Sequence, residues 1–214
     1  MNRAEDLEDL LEKSGYARGT EPGIKILRYL DLLEKWNRRI NLTSSTQSQA
    51  LRILFGEAVW AAGLYPAGNS YHLDIGSGAG FPAMIMRILN PNMKLDLVES
   101  RGRKTAFLET VILELGLTET QVFNIRLQDY LKICNRDSWD CISWKGVKLN
   151  NDDLSLMAQL GKVDTRFWMF HSEQLPLERP EEASRWLQFV KREDFPGKSG
   201  WHLSIYQPAP ACFT

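Results

Sequence analysis

The chain has 214 residues, 43% of them hydrophobic and 25% charged, with a formal net charge of −1. That suits one sizeable globular domain, or a domain with an extension, and confines any nucleic-acid contact to a local basic patch. No stretch approaches the ~18 unbroken apolar residues of a membrane span. Three cysteines without a Cys-x-x-Cys pair argue against a disulfide framework and a zinc site. The acidic, amphipathic start is the opposite of a signal peptide, so a cytoplasmic protein without membrane or metal is expected.

Residues 4–13 read as a short acidic helix. Pro22 suits the first turn of the next one. There Ile24, Leu27, Leu30, Leu33, Trp36 and Ile40 recur every three or four residues as one apolar face. Thr43-Ser-Ser-Thr46 offers N-caps for a third helix over 47–64, and Tyr65–Ser70 is a loop punctuated by proline and glycine. From there strands alternate with helices. Strands are expected at Tyr71–Ile75, Lys94–Glu99, Gln121–Arg126, Trp139–Ser143, Arg166–Phe170, Trp186–Lys191 and Trp201–Gln207. Helices are expected at Pro82–Leu89, Arg103–Leu115, Leu127–Ile133 and Asp152–Leu160. Five strands alternating with helices imply a parallel sheet covered on both faces. The last two strands, joined without a helix, imply a terminal antiparallel hairpin. The expected architecture is α/β: a helical cap over residues 1–68, then a mostly parallel, Rossmann-like sheet domain over 69–214, packed as one unit or as two.

The most informative stretch is His72-Leu-Asp-Ile-Gly-Ser-Gly-Ala-Gly-Phe-Pro82. An apolar strand runs into glycines at 76, 78 and 80, and a helix follows. That is a recipe for a nucleotide pocket, because glycine lets the backbone approach a ligand and a helix start offers unpaired N–H groups. A dinucleotide fingerprint needs G-x-G-x-x-G; here the third glycine arrives one residue early. Asp74, two residues before Gly76, would repel a pyrophosphate but suits a ligand with positive charge at that end. S-adenosylmethionine carries a sulfonium and an ammonium and no phosphate.

Glu99 ends the second strand, placed to accept ribose hydroxyls or to stand as a plain surface acid. Leu127 and Gln128 follow the third strand, where an adenine would lie, and Leu127 reads equally well as core. The expected cofactor-binding set is Asp74, Gly76, Ser77, Gly78, Gly80, Phe81, Glu99, Ser100, Leu127, Gln128 and Trp144, the last at the mouth of the cleft. Arg38, Arg39, Arg101, Arg103 and Lys104 are candidate phosphate contacts, each as readily part of a solvated basic face. His72, His171 and His202 show no metal spacing.

Three segments together resemble one family, the bacterial 16S rRNA guanine-N7 methyltransferase G family, also called GidB. Trp36-Asn-Arg-Arg-Ile-Asn-Leu-Thr43 resembles its W-N-K/R-x-x-N-L-T motif. Asp74-Ile-Gly-Ser-Gly-Ala-Gly-Phe-Pro82 resembles D-V-G-S-G-A-G-F-P. Glu99-Ser-Arg-Gly-Arg-Lys-Thr-Ala-Phe-Leu108 resembles D-S-x-x-K-R-x-x-F-L. The resemblance runs from about residue 24 to 145. It implies a class I methyltransferase fold, S-adenosylmethionine as cofactor, and a guanine of 16S rRNA in the small ribosomal subunit as acceptor. Carried over, the cofactor positions are Gly76, Phe81, Leu127 and Gln128.

Two departures touch the acceptor side. The family's H-x-x-D-S-L motif reads here as Leu54-Phe-Gly-Glu-Ala-Val59, with Glu57 for the aspartate and Ala58 for the serine. Its S-R-A, whose arginine contacts the cofactor, reads as Ser143-Trp144-Lys145. Two further readings therefore stand beside the rRNA methyltransferase: the same fold with a changed acceptor, and a non-catalytic module that binds RNA or protein.

Overall fold

The computed structural model describes residues 9–43 apart from 10, 14, 17 and 18, and then 48–134, 139–172 and 185–213. Most of the predicted first helix and the cap candidates at 44–46 lie outside the described residues. The elements run α1 (Glu21–Asn37), α2 (Ser48–Leu64), β1 (Ser70–Ile75), α3 (Ala83–Leu89), β2 (Met93–Val98), α4 (Gly102–Leu115), β3 (Thr120–Phe123) and α5 (Leu127–Ile133). They continue with β4 (Cys141–Lys145), α6 (Asn151–Leu160), β5 (Arg166–Ser172), β6 (Leu187–Asp194), β7 (Trp201–Pro208) and a 3-10 turn at Pro210–Phe213. Among the described residues no helix is long and apolar enough to cross a membrane, and no cluster of three or more His, Cys, Asp or Glu could hold a metal.

The seven strands form one sheet in the order β3-β2-β1-β4-β5-β7-β6. β1 to β5 are parallel, while β7 runs antiparallel between β5 and β6. The hairpin expected at the C-terminus thus folds its second strand back into the sheet and leaves β6 at the edge. The strand order reverses direction between β1 and β4, and ligands of open α/β sheets bind beyond the strand C-termini at such a point.

Period-two alternation sorts the side chains to two apolar layers. On one face α1, α2, α3 and α4 share a cluster with Leu95, Leu97, Cys141, Trp168, Phe170, Leu203 and Ile205. On the other, α5 and α6 cover Leu73, Ile75, Val98, Ile142, Trp144, Phe167 and Met169. Helices α1 and α2 are therefore part of the same apolar cluster as the sheet.

Boundaries differ from expectation where side chains intercept the backbone. β3 stops at Phe123, where the Asn124 side chain bonds the neighbouring segment, its Nδ2 donating to the Glu99 carbonyl at 3.1 Å and to Thr105 Oγ1 at 3.0 Å. β4 starts two residues late, at Cys141. Asp140 is drawn to the Tyr71 N–H at 2.8 Å, and the Trp139 carbonyl is taken by Thr165 Oγ1 at 2.7 Å.

The helices also set the glycine turn. Tyr29 of α1 is fully buried and donates its hydroxyl to the Ala79 carbonyl at 2.5 Å, inside the turn, while its ring meets Phe81 edge-on. Tyr29→Phe leaves that carbonyl without its donor. It is expected to cost about 1–2 kcal/mol, read as a lower urea midpoint with an unchanged slope.

Candidate active site

A cleft of about 650 Å³ opens at the strand C-termini. It continues past Gly76, Ser100, Val147 and Lys148 into a lobe of about 300 Å³. The larger part lies between the glycine turn, the start of α4, the segment after β4, and Leu42, Thr43 and Leu54 of the helical layer. The lobe is walled by Ile125, Leu127, Gln128, Leu149 and Asp153.

Glu99 sits between the two turns that frame the cleft. One carboxylate oxygen accepts the Gly78 N–H at 2.9 Å and the other the Arg101 N–H at 2.8 Å. An ionised carboxylate has about four acceptor positions, so two remain for a ligand. At the start of α5 no side chain caps the helix, leaving the N–H groups of Leu127 and Gln128 at the lobe wall. The Gln128 amide itself donates to Asp153 Oδ1 at 2.6 Å, and Asp153 closes a capping box with Asn150 at the head of α6.

Gly76 and Gly78 have φ of +68° and +59°, in the left-handed region that favours glycine. A Cβ on Gly76 would lie 2.3 Å from a methyl of Val147. The segment after β4 thus closes directly over the first glycine.

The cleft takes Gly76, Ser77, Gly78, Phe81, Glu99, Ser100, Leu127 and Gln128 into its walls, together with Arg101 and Lys104 of the phosphate candidates. Arg38, Arg39 and Arg103 lie on the outer surface, with Arg38 paired to Glu34 at 3.0 Å.

Three of the expected cofactor-binding residues do not line the cleft. Gly80 turns away from the cleft and serves packing: a Cβ there would meet Met84 and Leu108 at 3.0 and 3.1 Å. Trp144 does not stand at the mouth. It is 2% exposed, in the apolar layer beneath α5 and α6, because strand alternation sends 143 and 145 to the opposite face. Asp74, expected to meet the positive end of a ligand, is buried beneath the turn, where its Oδ1 accepts the Ser143 hydroxyl at 2.6 Å.

That hydroxyl also meets His72 Nε2 at 2.7 Å. Since its one proton goes to Asp74, the imidazole must donate from Nε2. Nδ1, buried without a partner, is then a bare acceptor. Burial holds His72 neutral, with its pKa lowered to about 3. Burial pushes Asp74 up to about 6, an effect that hydrogen bonds from Ser143 and Ser77 only partly offset.

Several wall residues were not legible from residue type. Lys145 shares its face with Ser143 and reaches the cleft, where its ammonium meets the Glu57 carboxylate of α2. Val147 and Lys148 come from a segment without any motif. Leu42 and Thr43 are placed by Asn37, whose Oδ1 accepts both of their N–H groups at 2.8 and 3.0 Å. Asn37, Leu42 and Thr43 all belong to the Trp36–Thr43 motif, which could have signalled that loop.

Comparisons with known proteins identify the family and the fold. The profile of a family described as rRNA small subunit methyltransferase G matches residues 24–198. The ribosomal RNA small subunit methyltransferase G of Chromobacterium violaceum is 40% identical over 114 residues, 52% of this chain and 54% of that one. Its counterpart from Geobacillus is 30% identical over 161 residues, 74% and 68% of the two chains. The matched stretch thus spans about half of the first relative and about two thirds of the second. Among solved structures, a SAM-dependent methyltransferase from Aquifex aeolicus superposes with a TM-score of 0.56 at 13% identity, covering 73% of this chain and 90% of that one. The fold is that of the class I methyltransferases.

Asp74 makes stability depend on pH. Its folded pKa lies above the unfolded value, so the folded state favours the protonated form. From Asp74 alone the fold carries no penalty below about pH 4, loses stability as pH rises towards 6, and is flat above, a total of about 3 kcal/mol. Asp74→Asn removes the charge and keeps an acceptor for Ser143. Its melting temperature should exceed that of the wild type by a margin that grows between pH 4 and 7 and then levels off.

Proposed function

Because the chain belongs to the rRNA small subunit methyltransferase G family, we propose that it transfers the methyl group of S-adenosylmethionine to N7 of a guanine in the 16S rRNA of the small ribosomal subunit, in the cytoplasm. The observation that carries this reading is Glu99, clamped between the glycine turn and α4 at the centre of a trough that runs across the ends of β1 to β4. The trough fits a nucleoside: an apolar wall at Ile125 and Leu127, a carboxylate with spare acceptor positions, and a glycine turn bare of side chains. When bound, S-adenosylmethionine supplies an electrophilic methyl carbon on a sulfonium.

What the chain supplies is position. Leu127 and Ile125 would pack on the adenine, Glu99 would accept the ribose hydroxyls, and Gly76 and Gly78 would let the methionine portion lie against the backbone. Guanine N7 has a free lone pair and no proton to lose, so no general base is required. Neither histidine nor cysteine lines the cleft among the described residues. Holding nitrogen and methyl carbon in line is then the main source of rate. Arg101, Lys104 and Lys148 at the wall, with Arg38, Arg39 and Arg103 outside it, offer a route for the phosphate backbone. A changed acceptor is the second reading, favoured by Glu57 and the buried Trp144 standing at positions where the family carries other residues.

S-adenosylhomocysteine should bind the wild type in calorimetry. Gly76→Ala should weaken it at least about tenfold, since the added methyl strains a left-handed position and drives Val147 into the cleft. Small ribosomal subunits from a strain lacking the modification should accept tritium from labelled cofactor and yield 7-methylguanosine on digestion. Binding without transfer to RNA would sink the rRNA reading and leave the changed acceptor.

A further inference from the structure

Four cations line the larger part of the cleft, and one differs from the rest. Arg101 and Lys148 are exposed and Lys104 is half-buried. Lys145 is held from two sides. Its ammonium meets the carboxylate of Glu57, whose side chain is only 3% exposed, and it sits 5.3 Å from the centre of the Trp201 ring. Such a pair is a weak stabiliser, because removing both ions from water offsets their attraction. Its placement is the informative part. It joins α2 to the C-terminal tip of β4, next to the glycine turn.

From β3 to β4 the strand ends present Leu127 and Gln128, then Glu99, then the Gly76 turn, then Lys145. A nucleoside spread over the first three brings its reactive end to the fourth. A bare ammonium there would repel a sulfonium, but Glu57 cancels its charge. The same cancellation makes it a poor phosphate anchor, a task left to the three other cations. What remains is a fixed N–H donor, since an ammonium carries three, suited to a neutral acceptor oxygen. Guanine offers two acceptors on one edge, O6 and N7, whereas adenine offers an N6 amino donor beside its N7.

On the methyl-transfer reading above, we infer that Lys145 determines the acceptor base by donating to O6 of guanine, and that Glu57 is the positioning residue that holds it. N7 then faces the methyl carbon. The carbon–sulfur bond breaks with its electron pair going to sulfur, a carbon–nitrogen bond forms, and the positive charge passes to the guanine ring with no proton moved. An adenine would set its amino group against the ammonium and leave both donors unpaired.

The test uses the full chain, small subunits lacking the modification, and three variants: Lys145→Met, Lys145→Arg, and the exchange Glu57→Lys with Lys145→Glu. S-adenosylhomocysteine affinity should stay within about threefold of wild type in Lys145→Met, while methyl transfer falls about a hundredfold, as expected when a site built to donate loses its donor. Lys145→Arg should keep transfer within about tenfold, because it keeps both charge and donors. The exchange restores the pair, and with it the link from α2 to β4, but puts the donor on the wrong side, so transfer should stay as low as in Lys145→Met. Transfer near the wild-type level in the exchange variant would overturn the inference and leave Lys145 a structural strut. So would methyladenosine among the wild-type products. A wild type that binds S-adenosylhomocysteine and methylates no RNA would overturn the rRNA reading, and this inference with it.

Discussion

The cleft depends on one residue, Glu99. Its two carboxylate oxygens take the Gly78 and Arg101 N–H groups, and its own N–H donates to the Phe123 carbonyl at 3.1 Å. Its carbonyl accepts Asn124 and the Thr105 hydroxyl, at 3.1 and 3.2 Å. Glu99 thereby registers the turn after β1, the start of α4 and the end of β3 against one another. Charge-assisted bonds of this kind are roughly twice as strong as neutral ones, and they are made to backbone, so they fix the path of the chain. A ligand that used the remaining lone pairs would bind to a framework already in place.

The helical layer acts on the same turn from behind. Tyr29 reaches Ala79, Trp36 packs edge-on against Phe107 of α4, and Asn37 folds Leu42 and Thr43 into the cleft wall. The Trp36–Thr43 motif therefore reads as a device for shaping the pocket as much as for contacting a substrate. Arg87 does similar work at the opposite end of the sheet. Its guanidinium bonds Thr120 Oγ1 at 3.1 Å and the Thr118 carbonyl at 2.7 Å, tying α3 to the approach of β3.

Charge is distributed by burial. Exposed arginines and lysines surround the cleft, where solvent screens them until a polyanion arrives. Inside, charge is cancelled or suppressed. Lys145 is matched by Glu57, and the Asp74 carboxyl is pushed towards neutrality beneath the turn. A site of this kind receives a cationic cofactor without a strong local field of its own.

Much of the fold was legible because local pattern and global packing agree. The glycines at 76, 78 and 80 announced a turn that only left-handed residues can make, and apolar periodicity placed every strand of the sheet to within a few residues. Glu99 could be assigned to the cleft because a parallel neighbour of known length ends at the same edge. Trp144 was misplaced because sequence gives a residue's position along a strand but not which face the sheet turns to the ligand, whereas Asp74 shares the face of Ser143 and Lys145 but lies beneath the turn, bonded to Ser143. Val147 carries no motif and Lys145 stood only as a departure from one; both are placed by contacts with Gly76 on the turn and Glu57 on α2, which lie far away in sequence. The chain by itself thus determined the class of fold and the kind of cofactor, because those rest on local backbone requirements. Only the tertiary structure decided which charges are paired and which side chains line the cleft, because those depend on contacts between distant segments.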